Sequence, residues 1–106
     1  MATGRLGIQD MSANTNYSVY TVPTGYFAVC SVSVCNKNAT SATVRISVSS
    51  SATPAAGEYL EYDSEIVANG VLERTGIVME AGMILVVRSN TSSVNAVVMG
   101  IETATA

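Results

Sequence analysis

The feature that most constrains this chain is a two-residue alternation of apolar and polar side chains, interrupted by turn-forming residues at short intervals. Residues 42–49 show it most cleanly: Val44, Ile46 and Val48 alternate with Thr43, Arg45, Ser47 and Ser49. Successive residues of a strand point to opposite faces, so this spacing predicts a strand with one face in a core and one outside. Residues 26–36 repeat the pattern, with Ala28, Cys30, Val32 and Val34 on the expected core face and Phe27, Val29, Ser31, Ser33 and Cys35 on the other.

Turn signals separate such segments about every 8 to 12 residues, the cadence of a sandwich or barrel. Pro23-Thr24-Gly25 closes a strand at 17–22, because proline fixes φ and glycine accepts the left-handed region. Residues 36–41 form a polar loop, and the Ser/Ala-rich stretch 49–57 with Pro54 a long surface loop. Further strands are expected at 58–63, at 71–79 after Asn69-Gly70, at 83–89 after Ala81-Gly82, and at 94–101. Residues 4–10 add a first strand, either an edge of its own domain or an arm within 1–16 that reaches a neighbouring subunit. Residues 102–106 read as a frayed tail. The expectation is an all-β chain: a single antiparallel β-sandwich of seven or eight strands over 17–101, jelly-roll-like or immunoglobulin-like. The chain has no tryptophan, which an immunoglobulin core would carry.

The 106 residues suffice for one domain with a real core. Hydrophobic residues make up 48% and charged residues only 12%, against about 25% charged in typical soluble domains. Net charge is −3, with one lysine (Lys37) and four scattered arginines (Arg5, Arg45, Arg74, Arg88). A nucleic-acid partner would call for clustered cations, so none is expected. The longest apolar run, 83–87, falls far short of the roughly 20 residues that span a bilayer. Residues 1–10 hold no apolar signal segment, which points to synthesis and folding in a cytoplasm.

Chemistry is constrained by what the residues can support. Histidine is absent, which removes Ser-His-Asp and Cys-His nucleophile activation and the commonest metal ligand. Cys30 and Cys35, if on one strand, lie roughly 16 Å apart and on opposite faces, too far for a disulfide. The acidic cluster Glu58, Glu61, Asp63, Glu65 is the one concentration of charge. Glu61, Asp63 and Glu65 are the candidate ligands if a calcium ion binds, and the cluster could also be read as a glycosidase carboxylate pair. Their alternation favours a third reading, a solvated strand face protected against edge pairing. Tyr59 and Tyr62 are expected on opposite faces and so form no flat platform. The sequons at Asn16, Asn38 and Asn90 are what a chain rich in Asn, Ser and Thr produces by chance. Residues 70–76 lack the Gly-Lys-Ser/Thr ending of a phosphate loop.

Four segments together resemble a known group: Val19-Tyr20-Thr21-Val22-Pro23-Thr24-Gly25, Val34-Cys35-Asn36-Lys37-Asn38, Glu58-Tyr59-Leu60-Glu61-Tyr62-Asp63, and Asn69-Gly70-Val71-Leu72-Glu73-Arg74-Thr75-Gly76. This order is similar to small virion structural proteins of tailed bacteriophages, especially those infecting cyanobacteria, over residues 17–101. The resemblance implies a homo-oligomeric structural component of a virion, decorating or cementing the capsid or forming part of the tail. Its implied partners are other virion proteins and copies of itself, with no membrane, no cofactor and no catalytic residue. Leu6, Ile8 and Met11 are the candidate subunit-interface residues, since they give the polar segment 1–16 something to bury. The alternative is a carbohydrate- or receptor-binding β-sandwich module of a tail fibre or baseplate.

Overall fold

A computed structural model describes residues 3–105. They form eight strands and no helix: β1 (Thr3–Met11), β2 (Tyr17–Thr21), β3 (Tyr26–Asn36), β4 (Ala42–Ser49), β5 (Tyr59–Ile66), β6 (Val71–Met79), β7 (Ile84–Ser89) and β8 (Val94–Ala104). Two four-stranded sheets result, in the orders β1-β8-β3-β6 and β2-β7-β4-β5, with every pairing antiparallel. The pairs β1·β8, β2·β7, β3·β6 and β4·β5 are nested, as if one long hairpin had been rolled up. That is the jelly-roll arrangement rather than the immunoglobulin one.

The alternation read from the sequence builds the core. Ala28, Cys30, Val32 and Val34 of β3 face Val44 and Ile46 of β4, with Leu85 and Val87 of β7 and Val94, Ala96 and Val98 of β8 completing the buried layer. These are small and β-branched side chains, which fit a pleated surface and fill the roughly 10 Å between packed sheets.

Two departures from the expected boundaries have clear causes. β5 runs three residues past the expected end at 63, because two irregularities let it stay paired with β4 as far as Ile66. The stretch expected as a frayed tail is a continuation of β8 through Ala104. Glu102 anchors it: the residue is buried, and its carboxylate accepts a hydrogen bond from the Tyr20 hydroxyl across the sandwich at 2.6 Å. Ala106, with Met1 and Ala2 of the expected arm, lies outside the described residues.

Each of the four edge strands, β1, β2, β5 and β6, is bulged against its neighbour. The central pairs β3·β8 and β4·β7 keep an unbroken register. Bulges twist an edge away from flat pairing, so the sandwich is protected against strand addition on all four sides.

Candidate interaction surfaces

The outer face of the first sheet is apolar where a solvated antiparallel sheet would normally be polar. Cross-strand register lays out its rows: Thr3–Ile101–Val29–Val78, then Arg5–Met99–Ser31, then Ile8–Val97–Ser33–Glu73. Ile8, Val29, Val71, Val78, Met99 and Ile101 are between 41% and 70% exposed. Together they present on the order of 500 Å² of apolar surface, at the upper end of what a monomer leaves open. Charge is confined to the rim, with Arg5 and Asp10 on β1, Asp10 paired with Lys37, and Glu73 on β6 at the opposite edge of the sheet.

Of the three residues expected at a subunit interface, only Ile8 lies on this surface. Met11 is 3% exposed within the core, and Leu6 packs against it from the β1 bulge between Arg5 and Gly7. The segment is an edge strand paired along its length with β8 of its own domain. The residues that make up the face, Val29, Val78, Val97, Met99 and Ile101, were not singled out from the sequence. The signal was present in β8, where Val97, Met99 and Ile101 alternate with Val94, Ala96 and Val98 so that both faces are apolar.

On the second sheet, β5 does not present its acids as an alternating face. Ser47 pairs with Tyr59, Ile46 with Glu61 and Val44 with Ser64, so β5 twice uses more residues than β4. Asp63 takes a left-handed conformation, with φ of 52°. These irregularities bring Tyr59 and Tyr62 together, contrary to the expectation of opposite faces: their rings meet edge to face, with centroids 4.9 Å apart. The Arg45 guanidinium sits 4.1 Å from the Tyr62 ring centroid and donates to both Asp63 oxygens at 2.7 and 3.2 Å. That fork holds the Asp63 carboxyl below its ordinary range.

The other acids are engaged separately. Glu61 accepts from Ser64 and from Arg74 of β6, and so ties the two sheets together at one edge. The Glu58 carboxylate accepts from the Ala55 and Ser50 amides and the Ser49 hydroxyl, which lowers its pKa and closes the 50–57 loop. Glu65 is exposed. Among the described residues, Glu61, Asp63 and Glu65 form no group that could hold a metal ion.

Beside Arg45 lies a polar cavity of about 220 Å³, lined by Asn14, Thr43, Arg45, Asp63, Arg88 and Asn90 together with Ser89. Arg45 and Arg88 face each other directly across β4 and β7. The sequence placed neither in a site, because the register that brings them together is a long-range property.

Both cysteines are free thiols. Burial raises the Cys30 pKa, and its Sγ lies 3.7 Å from the Met79 Sδ, so it behaves as a small core residue. No helix of the described residues is long and apolar enough to cross a membrane. Compared with family models, curated proteins and solved structures, the chain finds no match in any of the three.

Proposed function

We propose that this chain is a structural subunit, a small virion protein of a tailed phage, that assembles through the outer face of its first sheet with a second copy of itself. The observation that carries the assembly reading is that apolar face. The virion assignment is supported by the sequence resemblance. The jelly roll is compatible with it, since capsid and lectin domains both use this fold, and fold alone does not decide function.

A second copy is favoured over other occupants by the placement of charge. A two-fold axis in the plane of the sheet and parallel to its strands lays β1 of one copy over β6 of the other. Arg5 and Glu73 lie one row apart along the strands. That symmetry therefore brings each Arg5 within reach of the other copy's Glu73, twice per dimer. A stable interface buries about 800 Å² per partner, which the apolar patch and this charged rim together can supply.

The test is the mass of the protein in solution, measured by light scattering over micromolar concentrations, for the natural chain and for Met99→Lys with Ile101→Lys. The natural chain is expected as an oligomer and the double variant as a folded monomer. A natural chain that is monomeric throughout would sink the assembly reading. Locating the chain in purified particles by electron microscopy tests the virion assignment separately; its absence from every particle would overturn that part.

A further inference from the structure

We infer that the cavity between Arg45 and Arg88 is a binding site for a carboxylate-bearing sugar. It lies on the outer face of the second sheet, opposite the assembly face, and is independent of it.

Arg45 and Arg88 are register partners on adjacent antiparallel strands. Like charges directly opposite each other destabilise a sheet, so the pair opposes folding unless something negative sits nearby. Asp63 is that group for Arg45, which it occupies through both of its oxygens. Arg88 has no ion pair of its own among the described residues; its charge acts on Asp63 only through space. Two cations and one carboxylate leave the cavity with one positive charge in excess. A guanidinium fork matches a planar carboxylate in two parallel hydrogen bonds, which gives orientation as well as attraction.

The cavity is also built from strained and fixed backbone. Of the four non-glycine residues with positive φ among the described residues, two, Asn14 at 55° and Asp63 at 52°, line it. Such conformations concentrate at binding sites, where the surrounding structure holds them. The Asn14 amide is pinned to the Ser89 carbonyl at 2.7 Å, which fixes the 12–16 loop over the end of β7. Asn90 accepts the Thr43 amide on its Oδ1 at 2.9 Å, so what it offers the cavity is its NH₂ group. Thr43 and Asn14 add a hydroxyl and an amide side chain. Neutral hydrogen-bonding groups around one excess cation suit a ligand with several hydroxyls and a single carboxylate. A polyanion fits poorly, because the chain as a whole carries −3.

The experiment is a titration of the full chain with D-glucuronate, followed by calorimetry and by amide shifts in two-dimensional NMR, with D-glucose, acetate and inorganic phosphate as parallel arms. Glucuronate is expected to saturate and to move the Thr43 and Asn90 amides, glucose to give nothing, and acetate and phosphate to bind at least tenfold more weakly. Arg88→Ala should weaken glucuronate about tenfold or more, while Arg88→Lys retains part of the affinity. The Arg88→Ala chain should melt no lower than the natural one, because the like-charge pair is gone. Absence of saturable glucuronate binding overturns the proposal. So does acetate or phosphate binding as tightly as glucuronate, which would make the cavity a bare anion site, or an Arg88→Ala chain that binds unchanged.

Discussion

Asn36 ends β3 with its side chain entirely out of solvent, and it ties the loop that follows β3 to the end of β5 and the loop beyond it. Its Nδ2 donates to the carbonyls of Thr40, Ile66 and Val67 at 2.9, 3.1 and 3.2 Å. Its Oδ1 accepts from the backbone amide and side-chain amide of Asn38. Asn36→Ala would strand several of these groups, and a buried unsatisfied group costs about 1–3 kcal/mol. The expected loss is therefore about 2 kcal/mol or more in urea unfolding, and a change below about 0.5 kcal/mol would contradict the role. Asn36→Asp is nearly isosteric yet should be at least as damaging, because it sets an acceptor against three carbonyls. A second residue-scale contact predicts a pH dependence. Burial, reinforced by the bond to Glu102, raises the Tyr20 pKa above its ordinary 10.0. The unfolded chain then releases this proton before the folded one does. Stability is intact below pH 10 and falls as pH rises beyond it, by at most about 1.4 kcal/mol per unit, until the folded tyrosine ionises. Urea titrations at pH 9 and pH 11 check the sign, and Tyr20→Phe should remove this component of the slope.

At the scale of elements, β3 and β8 approach closely at Gly100. A Cβ added at Gly100 would lie against the Val29 carbonyl oxygen and within 2.6 Å of the Cys30 Cα. Both are backbone neighbours in an unbroken register, so neither can rotate aside. Gly100→Ala is expected to cost about 3 kcal/mol, as severe overpacking does. Gly57, whose added Cβ would meet nothing within 4 Å, is the control: Gly57→Ala should leave the melting temperature unchanged or slightly raised. The same contrast explains what the sequence made legible. Strands β3, β4 and β6 stand where alternation and turn residues place them, because both signals are local. The faces of β5 were not legible: its bulges exist only through pairing with β4, and a single inserted residue reverses every side chain beyond it. Tyr59 and Tyr62 consequently meet although their spacing in sequence sets them apart. Glu102 was equally hidden, since a charged residue at a chain end reads as solvated until Tyr20 is brought opposite it. For the candidate surfaces, Ile8 is exposed on the outer face of the first sheet, while Leu6 and Met11 are claimed by their own core.

At the scale of the whole molecule, the question is which surface this sandwich leaves open for others. Bulges on all four edge strands argue against growth by strand addition, so association has to use a face. The two outer faces differ in kind. The second sheet carries the Arg45–Asp63–Tyr62 cluster and a polar cavity, and the first carries exposed Val, Ile and Met with charge only at its rim. Burial of the apolar face against a second copy would make folding and assembly one equilibrium, because the partner binds the folded chain and not the unfolded one. The melting temperature of the natural chain should then rise with protein concentration, and that of the Met99→Lys, Ile101→Lys chain should stay flat. Salt separates the contributions further. Sodium sulfate strengthens apolar burial and should steepen the rise, whereas sodium chloride screens the Arg5–Glu73 rim and should lower it only slightly. Differential scanning calorimetry over a hundredfold range of concentration makes the measurement. A natural chain whose melting temperature does not move across that range would show that the apolar face is not covered by a copy of itself.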